Sequence, residues 1–218
     1  VLQATDGNAQ VLTGYGLTEA SALVTLTQVA LGDDGEVLRG RTIGRVLDGI
    51  ELEVHDEEGN QVAVGDVGEF VICGSNVMAG YYNAPEANAE VFDGDWLRSG
   101  DLGTIDADGF AYIVDRKKDV IIRGGQNIYP ADIEEVLYQL PDVTEAAVVG
   151  APDTMLGEVP VAFVATANGT SLTEDEILNH CRLHLAKFKL PSRIVMLLDL
   201  PKGQTGKILR RALRDQLL

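Results

Sequence analysis

Residues 109–135, GFAYIVDRKKDVIIRGGQNIYPADIEE, constrain this chain more than any other stretch. Residues 110–114, FAYIV, are β-branched and aromatic, as in a strand. Asp115-Arg116-Lys117-Lys118-Asp119 then places five ionisable side chains in a row, a run that no core buries unpaired. Residues 120–122, VII, return to strand character. Gly124-Gly125 stops that strand and allows a positive φ or the close approach of a ligand. Pro130 opens a helix, at a position where an amide hydrogen would have no partner. A strand interrupted by charge and then resumed suits a solvated loop between two strands, or a hinge between two lobes.

Beyond Asp119 the pattern is α+β. Ile133, Val136, Leu137 and Leu140 fall at i, i+3, i+4 and i+7, so 131–140 reads as an amphipathic helix over a small sheet. Residues 143–149, 159–166 and 194–198 read as strands. Thr173 followed by Glu176 is a capping box, with Ile177, Leu178, Cys181 and Leu185 on the buried face and His184 beside it. A terminal helix over 208–217 would turn Ile208, Leu209, Ala212, Leu213 and Leu217 inward.

The earlier half is mainly β. Asp33-Asp34-Gly35 and Glu58-Gly59-Asn60 are turn signals. Ile50, Leu52 and Val54 alternate with Glu51, Glu53 and His55, which puts His55 on a wet face. Tyr81-Tyr82 reads as packing, with the lining of a pocket as the alternative. Asn83 is placed to cap a short helix running from Pro85 to about Phe92. Gly14-Tyr15-Gly16 reads as a flexible turn after a strand end at 11–13.

Three places carry chemistry. Thr18 and Glu19 put a hydroxyl and a carboxylate on one loop, a pairing for a phosphate oxygen and Mg²⁺, or simply a cap with a solvated acid. Asp101 after Gly100 is either a turn aspartate or an acceptor for the paired hydroxyls of a ribose. Residues 201–207, PKGQTGK, end in Gly-Lys but fail the phosphate-loop pattern. Two residues separate Gly203 from Gly206, and Ile208 follows the lysine. What remains is a lysine, Lys202 or Lys207 on chemistry alone, on a glycine-flanked tip from which an ammonium can reach a reacting phosphate.

Composition removes some alternatives. The formal charge of −17 argues against a nucleic-acid partner, which needs a basic footprint. No apolar run approaches the roughly 18 residues of a membrane span. Cys73 and Cys181 lie in apolar segments and read as buried thiols in a reducing, cytoplasmic compartment.

Five segments, in order, resemble the adenylate-forming (AMP-binding) enzymes, in particular the acyl-CoA synthetase and ligase branch. They are GYGLTEAS (14–21), GEFVICGSNVMAGYY (68–82), DGDWLRSGDLG (93–103), the stretch at 109–135, and PKGQTGKILRR (201–211). The resemblance is to the C-terminal portion of a family more than twice this length, and it lacks the family's earlier Ser/Thr/Gly-rich phosphate loop. It implies the end of a large AMP-binding domain with a distorted β-barrel-like subdomain (1–116), a hinge at 117–118, and a small mobile α+β domain (119–218). It implies ATP-dependent activation of a carboxylic acid, fatty acids first. An acyl-adenylate forms with release of pyrophosphate, and coenzyme A then takes the acyl group with release of AMP.

The same resemblance implies residue roles. Lys207 is the adenylation lysine, Thr18 the phosphate contact, and Glu19 the catalytic acid associated with Mg²⁺. Tyr15 is a wall of the adenine pocket, Asp101 the ribose acceptor, and Arg116 a second nucleotide contact. Gly124 and Gly125 serve the thioester step, and Lys118 is the pivot, where some members carry an acid. Two other readings stay open: an amino-acid or aryl-acid adenylation domain that loads a carrier-protein thiol, and a remnant that only binds nucleotide. A homodimer is compatible with each.

Overall fold

The computed structural model describes residues 11–32, 36–167, 170 and 172–217, so the Asp33-Asp34-Gly35 turn lies outside the described residues. The chain divides into two compact units at the Lys117–Lys118 bond.

The first unit contains β1 (Leu12–Tyr15), β2 (Thr25–Gln28), β3 (Ala30–Leu31), β4 (Val37–Leu38), β5 (Gly44–Val46), β6 (Ile50–His55) and β7 (Gly68–Gly74). After these come α1 (Pro85–Val91), β8 (Phe92–Asp93), β9 (Trp96–Ile105) and β10 (Phe110–Arg116). Eight strands form one open sheet in the order β1-β2-β5-β10-β9-β7-β6, with β8 on β9, while β3 and β4 pair separately. Phe70 and Ile72 of β7 are buried and anchor two small cores, with Val54 and Ala111 on one side and Leu97, Val24 and Ala20 on the other. Gly103 is required by that packing, because a Cβ there would lie 2.2 Å from the Phe70 ring.

Several local expectations are corrected here. Gly14-Tyr15-Gly16 is not a flexible turn: Tyr15 ends β1, and a Cβ on Gly16 would lie 1.7 Å from the Ala22 carbonyl oxygen. These glycines permit a close backbone crossing. His55 is 13% exposed rather than wet, since its ring lies against Trp96 and its Nε2 is 2.7 Å from Glu53 Oε2. Asn83 does not cap α1. Ala84 holds that position without a side-chain bond, and Asn83 adopts φ +50°. Tyr82 is 93% exposed and does not pack. Cys73 is only half-buried, whereas Cys181 is buried.

The second unit contains β11 (Ile121–Arg123), β12 (Gln126–Ile128), α2 (Pro130–Tyr138), β13 (Val143–Asp153), β14 (Gly157–Thr166), α3 (Glu174–His184), β15 (Arg193–Leu197) and α4 (Arg210–Arg214). The sheet runs β12-β11-β14-β13, with β15 parallel to β14. Gly124 (φ +56°) and Gly125 (φ +80°) form the two-residue turn between β11 and β12, a conformation that glycine adopts without strain. One sheet face, with Val148, Ala162 and Val164, packs on Ile133 and Leu137 of α2 and on Ile177 and Cys181 of α3. The other, with Ala147, Val149 and Phe163, meets Leu200 and Leu213. Burial on both faces accounts for the nearly unbroken apolar run of β14.

The capping box forms as the sequence indicates: the Glu176 amide donates to Thr173 Oγ1 at 3.3 Å, and the Thr173 amide to Glu176 Oε2 at 2.8 Å. The terminal helix is shorter than 208–217. A bridge between Lys202 and Ile208 keeps the chain extended there, α4 covers only Arg210–Arg214, and Leu209 is exposed.

Candidate active site

Asp101 lies in β9, next to an irregularity that the sequence only hints at. Pairing of β9 with β7 shifts register between Glu69 and Val71, and Gly100 adopts φ +73°. A bulge of this kind re-aims a side chain. Asp101 is buried, with Arg116 of β10 directly opposite in the ladder. Arg116 Nε is 3.0 Å from Asp101 Oδ1, and the Tyr15 hydroxyl donates to Asp101 Oδ2 at 2.7 Å. Two residues named from the sequence, Tyr15 and Arg116, thus converge on the carboxylate of a third, Asp101. Tyr15 also packs against Phe70, with ring centroids 6.0 Å apart. Burial first, then the bond to Asp101, push the Tyr15 phenol well above its ordinary pKa, so it stays a donor.

Thr18 and Glu19 open a single 3-10 turn, Thr18–Ala20, just after β1. The turn is tied down from the GSNVMAGYY segment. Asn76 Nδ2 donates to the carbonyls of Ala20 (3.0 Å) and Leu23 (3.2 Å), Ser21 Oγ donates to the Asn76 carbonyl (2.7 Å), and the Met78 amide donates to the Glu19 carbonyl (2.8 Å). The Thr18 side chain is exposed. The Tyr81 hydroxyl donates to Glu19 Oε1 at 2.8 Å, which raises the phenol's pKa. The sequence offers Tyr81 as a packing or pocket-lining residue; only the fold brings it to Glu19.

The chemistry of these donors fits a hard cation. Glu19 keeps a second carboxylate oxygen with no side-chain partner among the described residues, and no group of three or more His, Cys, Asp or Glu forms a metal cluster there. One carboxylate plus the oxygens of a bound phosphate is the usual way to hold Mg²⁺.

In the second unit Lys202 and Lys207 have different surroundings. Lys202 is engaged by Glu145 and by Asp199 Oδ1 at 3.0 Å, and these bonds raise its pKa. Lys207 lies exposed at the end of the tip formed by Gly203–Gly206, with no side-chain partner among the described residues. The Gly203 amide donates to the Lys207 carbonyl at 2.8 Å, and Gly206 has φ +79°. Gly124-Gly125 and Lys118 also belong to this unit. Lys118 is exposed and falls in a 3-10 turn, Lys117–Asp119.

Two family profiles match the chain: "AMP-binding enzyme" over residues 1–82 and "AMP-binding enzyme C-terminal domain" over 132–207. A long-chain-fatty-acid–CoA ligase of Yersinia pestis is 42% identical over 207 residues, which make up 94% of this chain and 36% of that protein. A 2-succinylbenzoate–CoA ligase of Bacillus cereus is 42% identical over 201 residues, 92% of this chain and 40% of that protein. The chain therefore spans well under half the length of these relatives. Among solved structures, ATP-bound MatB from Rhodopseudomonas palustris superposes with a TM-score of 0.86 at 36% identity, covering 94% of this chain and 40% of that one. The o-succinylbenzoate CoA synthetase of Bacillus subtilis, in complex with its acyl-adenylate intermediate, gives 0.86 at 34% identity, covering 98% and 43%.

Proposed function

The chain belongs to the AMP-binding enzyme family, and we propose that it works in an ATP-dependent acid–thiol ligase. The observation that carries this reading is the buried Asp101 carboxylate, held between the Tyr15 hydroxyl and Arg116 in the same unit as the Thr18–Glu19 turn. An acidic side chain fixed in this way is suited to accept hydrogen bonds from a ribose diol. The Arg116 guanidinium beside it suits the neighbouring phosphate, which it can meet in planar, bidentate fashion.

The division of labour follows from carboxylate chemistry. A carboxylate is a poor acyl donor, so its oxygen attacks the α-phosphorus of ATP and the bond to pyrophosphate breaks. Lys207 stabilises the charge that builds on the phosphate oxygens during this step. Thr18 holds a phosphate oxygen, and Glu19, oriented by Tyr81, is the residue that would hold Mg²⁺. A thiol sulfur then attacks the acyl carbon, its proton passes to solvent, and AMP leaves with the carboxyl oxygen. Gly124-Gly125 serves this second step, after residues 119–218 turn about Lys118. Coenzyme A is the thiol on this reading, and the two free cysteines suit a cytoplasmic setting.

For the acid, relatives named for a long-chain fatty acid and for 2-succinylbenzoate are equally similar, at 42%. Fatty acids are the first class to test, and an aryl acid the second. The experiment uses the intact protein with ATP, Mg²⁺ and a panel of both classes, first without and then with coenzyme A. Acid-dependent pyrophosphate release, followed by a thioester, is the expected outcome. Release without transfer to coenzyme A, but with transfer to a carrier-protein thiol, would replace the ligase reading with carrier loading. No release with any acid, together with retained AMP binding, would reduce the chain to a nucleotide-binding remnant.

A further inference from the structure

Two buried carboxylates flank the junction between the units, one on each side, and neither takes part in the chemistry described above. On the upstream side, Glu69 sits in β7 with its side chain 6% exposed. Its Oε2 lies 2.9 Å from Lys117 Nζ and 3.7 Å from Arg98, and its Oε1 accepts from the Gly100 amide at 3.0 Å. The strand carrying Glu69 is paired on both edges, with β6 and with β9. Lys117 is therefore fastened to the middle of a sheet, and its departure would leave a buried carboxylate short of a counter-charge.

On the downstream side, Asp119 has its side chain 8% exposed. Arg214 Nη2 donates to Asp119 Oδ1 at 2.9 Å and to the Lys118 carbonyl at 3.3 Å. Arg210 Nε is 3.8 Å from Asp119 Oδ2. That same guanidinium makes a two-point contact with Glu134 of α2, at 2.6 and 3.0 Å, and donates to the Val148 carbonyl of β13 at 2.8 Å. The first residues of the second unit are thus bolted to α4, α2 and β13 together. Arg210 and Arg214 also lie on the helix that follows the Lys207 tip, so the same two side chains fix the pivot and the base of that tip.

Between these fastenings lies Lys118, whose exposed side chain has no partner among the described residues. We infer that Glu69 and Arg214 are positioning residues which hold the chain on either side of Lys118, confining rotation between the units to the backbone of that residue. Hinges work in this way when a few positions absorb the whole change in φ and ψ and their neighbours stay in place. Fixed flanks make the end states discrete, and a loosened flank turns them into a continuum. The inference rests on the ligase reading for the rotation itself as well as for what it accomplishes.

The test measures the distance distribution between spin labels in the intact protein, at the exposed positions Glu57→Cys and Asp175→Cys in a Cys73→Ser background. The unaltered pivot should give resolved, narrow peaks. Lys117→Met, which frees the upstream flank, and Arg214→Met, which frees the downstream one, should each lose those peaks to a broad distribution. Arg214→Lys, which keeps a cation beside Asp119, should recover part of the sharpness. Lys117 is 43% exposed, so its variant is expected to fold even if Arg214→Met does not, and circular dichroism checks both. A Lys117→Met distribution as narrow as that of the parent protein would overturn the inference. Distances are read without turnover, so a protein that makes no adenylate yet shows the broadening would defeat the ligase reading and leave the bracketed pivot standing.

Discussion

The Tyr15 hydroxyl donates to Asp101 Oδ2 at 2.7 Å, although 86 positions separate the two residues in the chain. The bond orients one carboxylate oxygen, while Arg116 Nε holds the other at 3.0 Å. Tyr15→Phe should therefore weaken AMP binding without abolishing it. Loss of a hydrogen bond to a charged group costs about 1.5–3 kcal/mol, of which the exposed Arg116 partner can recover part. Asp101→Ala should cost more than Tyr15→Phe. Calorimetry with AMP on the intact protein checks both the sign and the order, and equal or stronger binding by Tyr15→Phe would contradict the assignment.

Lys207→Ala should separate the two half-reactions. The side chain is exposed and has no hydrogen-bond or ion-pair partner among the described residues, so folding should change by no more than ~0.5 kcal/mol. Adenylate formation should fall by roughly 100–1000-fold, the loss expected for one transition-state contact of ~3–4 kcal/mol. Thioester formation from preformed acyl-adenylate and coenzyme A should stay near normal. Lys202→Ala serves as the contrast, because Lys202 is held by Glu145 and Asp199. It should spare the first half-reaction, and equal losses for both lysines would remove the distinction.

Tyr81→Phe should raise the Mg²⁺ concentration needed for half-maximal pyrophosphate release. The hydroxyl donates to Glu19 Oε1, and a partly exposed bond of this kind is worth at most about 1 kcal/mol, or roughly fivefold. Saturating Mg²⁺ should restore the rate. A rate defect unaffected by Mg²⁺ would place Tyr81 in a purely structural role.

The two thiols should differ in reactivity. Burial pushes the Cys181 pKa up to about 11, whereas Cys73 is only half-buried. At pH 8 the native protein should expose one thiol to a disulfide reagent and show the second only on unfolding. The linkage has a definite sign. Between the ordinary thiol pKa of about 8.5 and the raised folded value, the native state binds more protons than the unfolded one. This contribution to stability is complete below that window and is lost as pH rises through it. Denaturant midpoints measured across the window should fall, and should fall less in Cys181→Ala.

Thr173→Ala should lower the stability of the second unit by about 1 kcal/mol, the usual cost of losing an N-cap hydroxyl. The Glu176 carboxylate would keep its bond to the residue 173 amide, which limits the loss. Thermal unfolding followed by helix signal gives the measurement, and Thr173→Ser should recover most of the difference.

Local features were read correctly where a few adjacent residues decide them. Thr173 with Glu176 begins α3, Pro130 begins α2, and Gly124-Gly125 ends β11 with a positive φ at each glycine, because each is a matter of backbone angles and hydrogen bonds within a few positions, whereas β12 after them had no expectation in the sequence. Where a local reading failed, a longer-range contact had overruled it. The bridge from Lys202 to Ile208 delayed the last helix, and the close crossing at Gly16 made a strand end from an apparent flexible turn.

The sequence by itself determined the order of the motifs and the chemistry they offer, since residue type and spacing carry that information directly. Tertiary structure alone decided which of those groups meet. It turned Asp101 toward Tyr15 and Arg116 through the irregular pairing of β9, paired Lys202 with Glu145, and buried Glu69 under Lys117. Apart from the bond between Asp199 and Lys202, three positions apart, none of these pairings has a local signature. A side chain's partner depends on the register and twist of strands far apart in the chain, and a shift of one residue in a ladder sends every side chain beyond it to the opposite face.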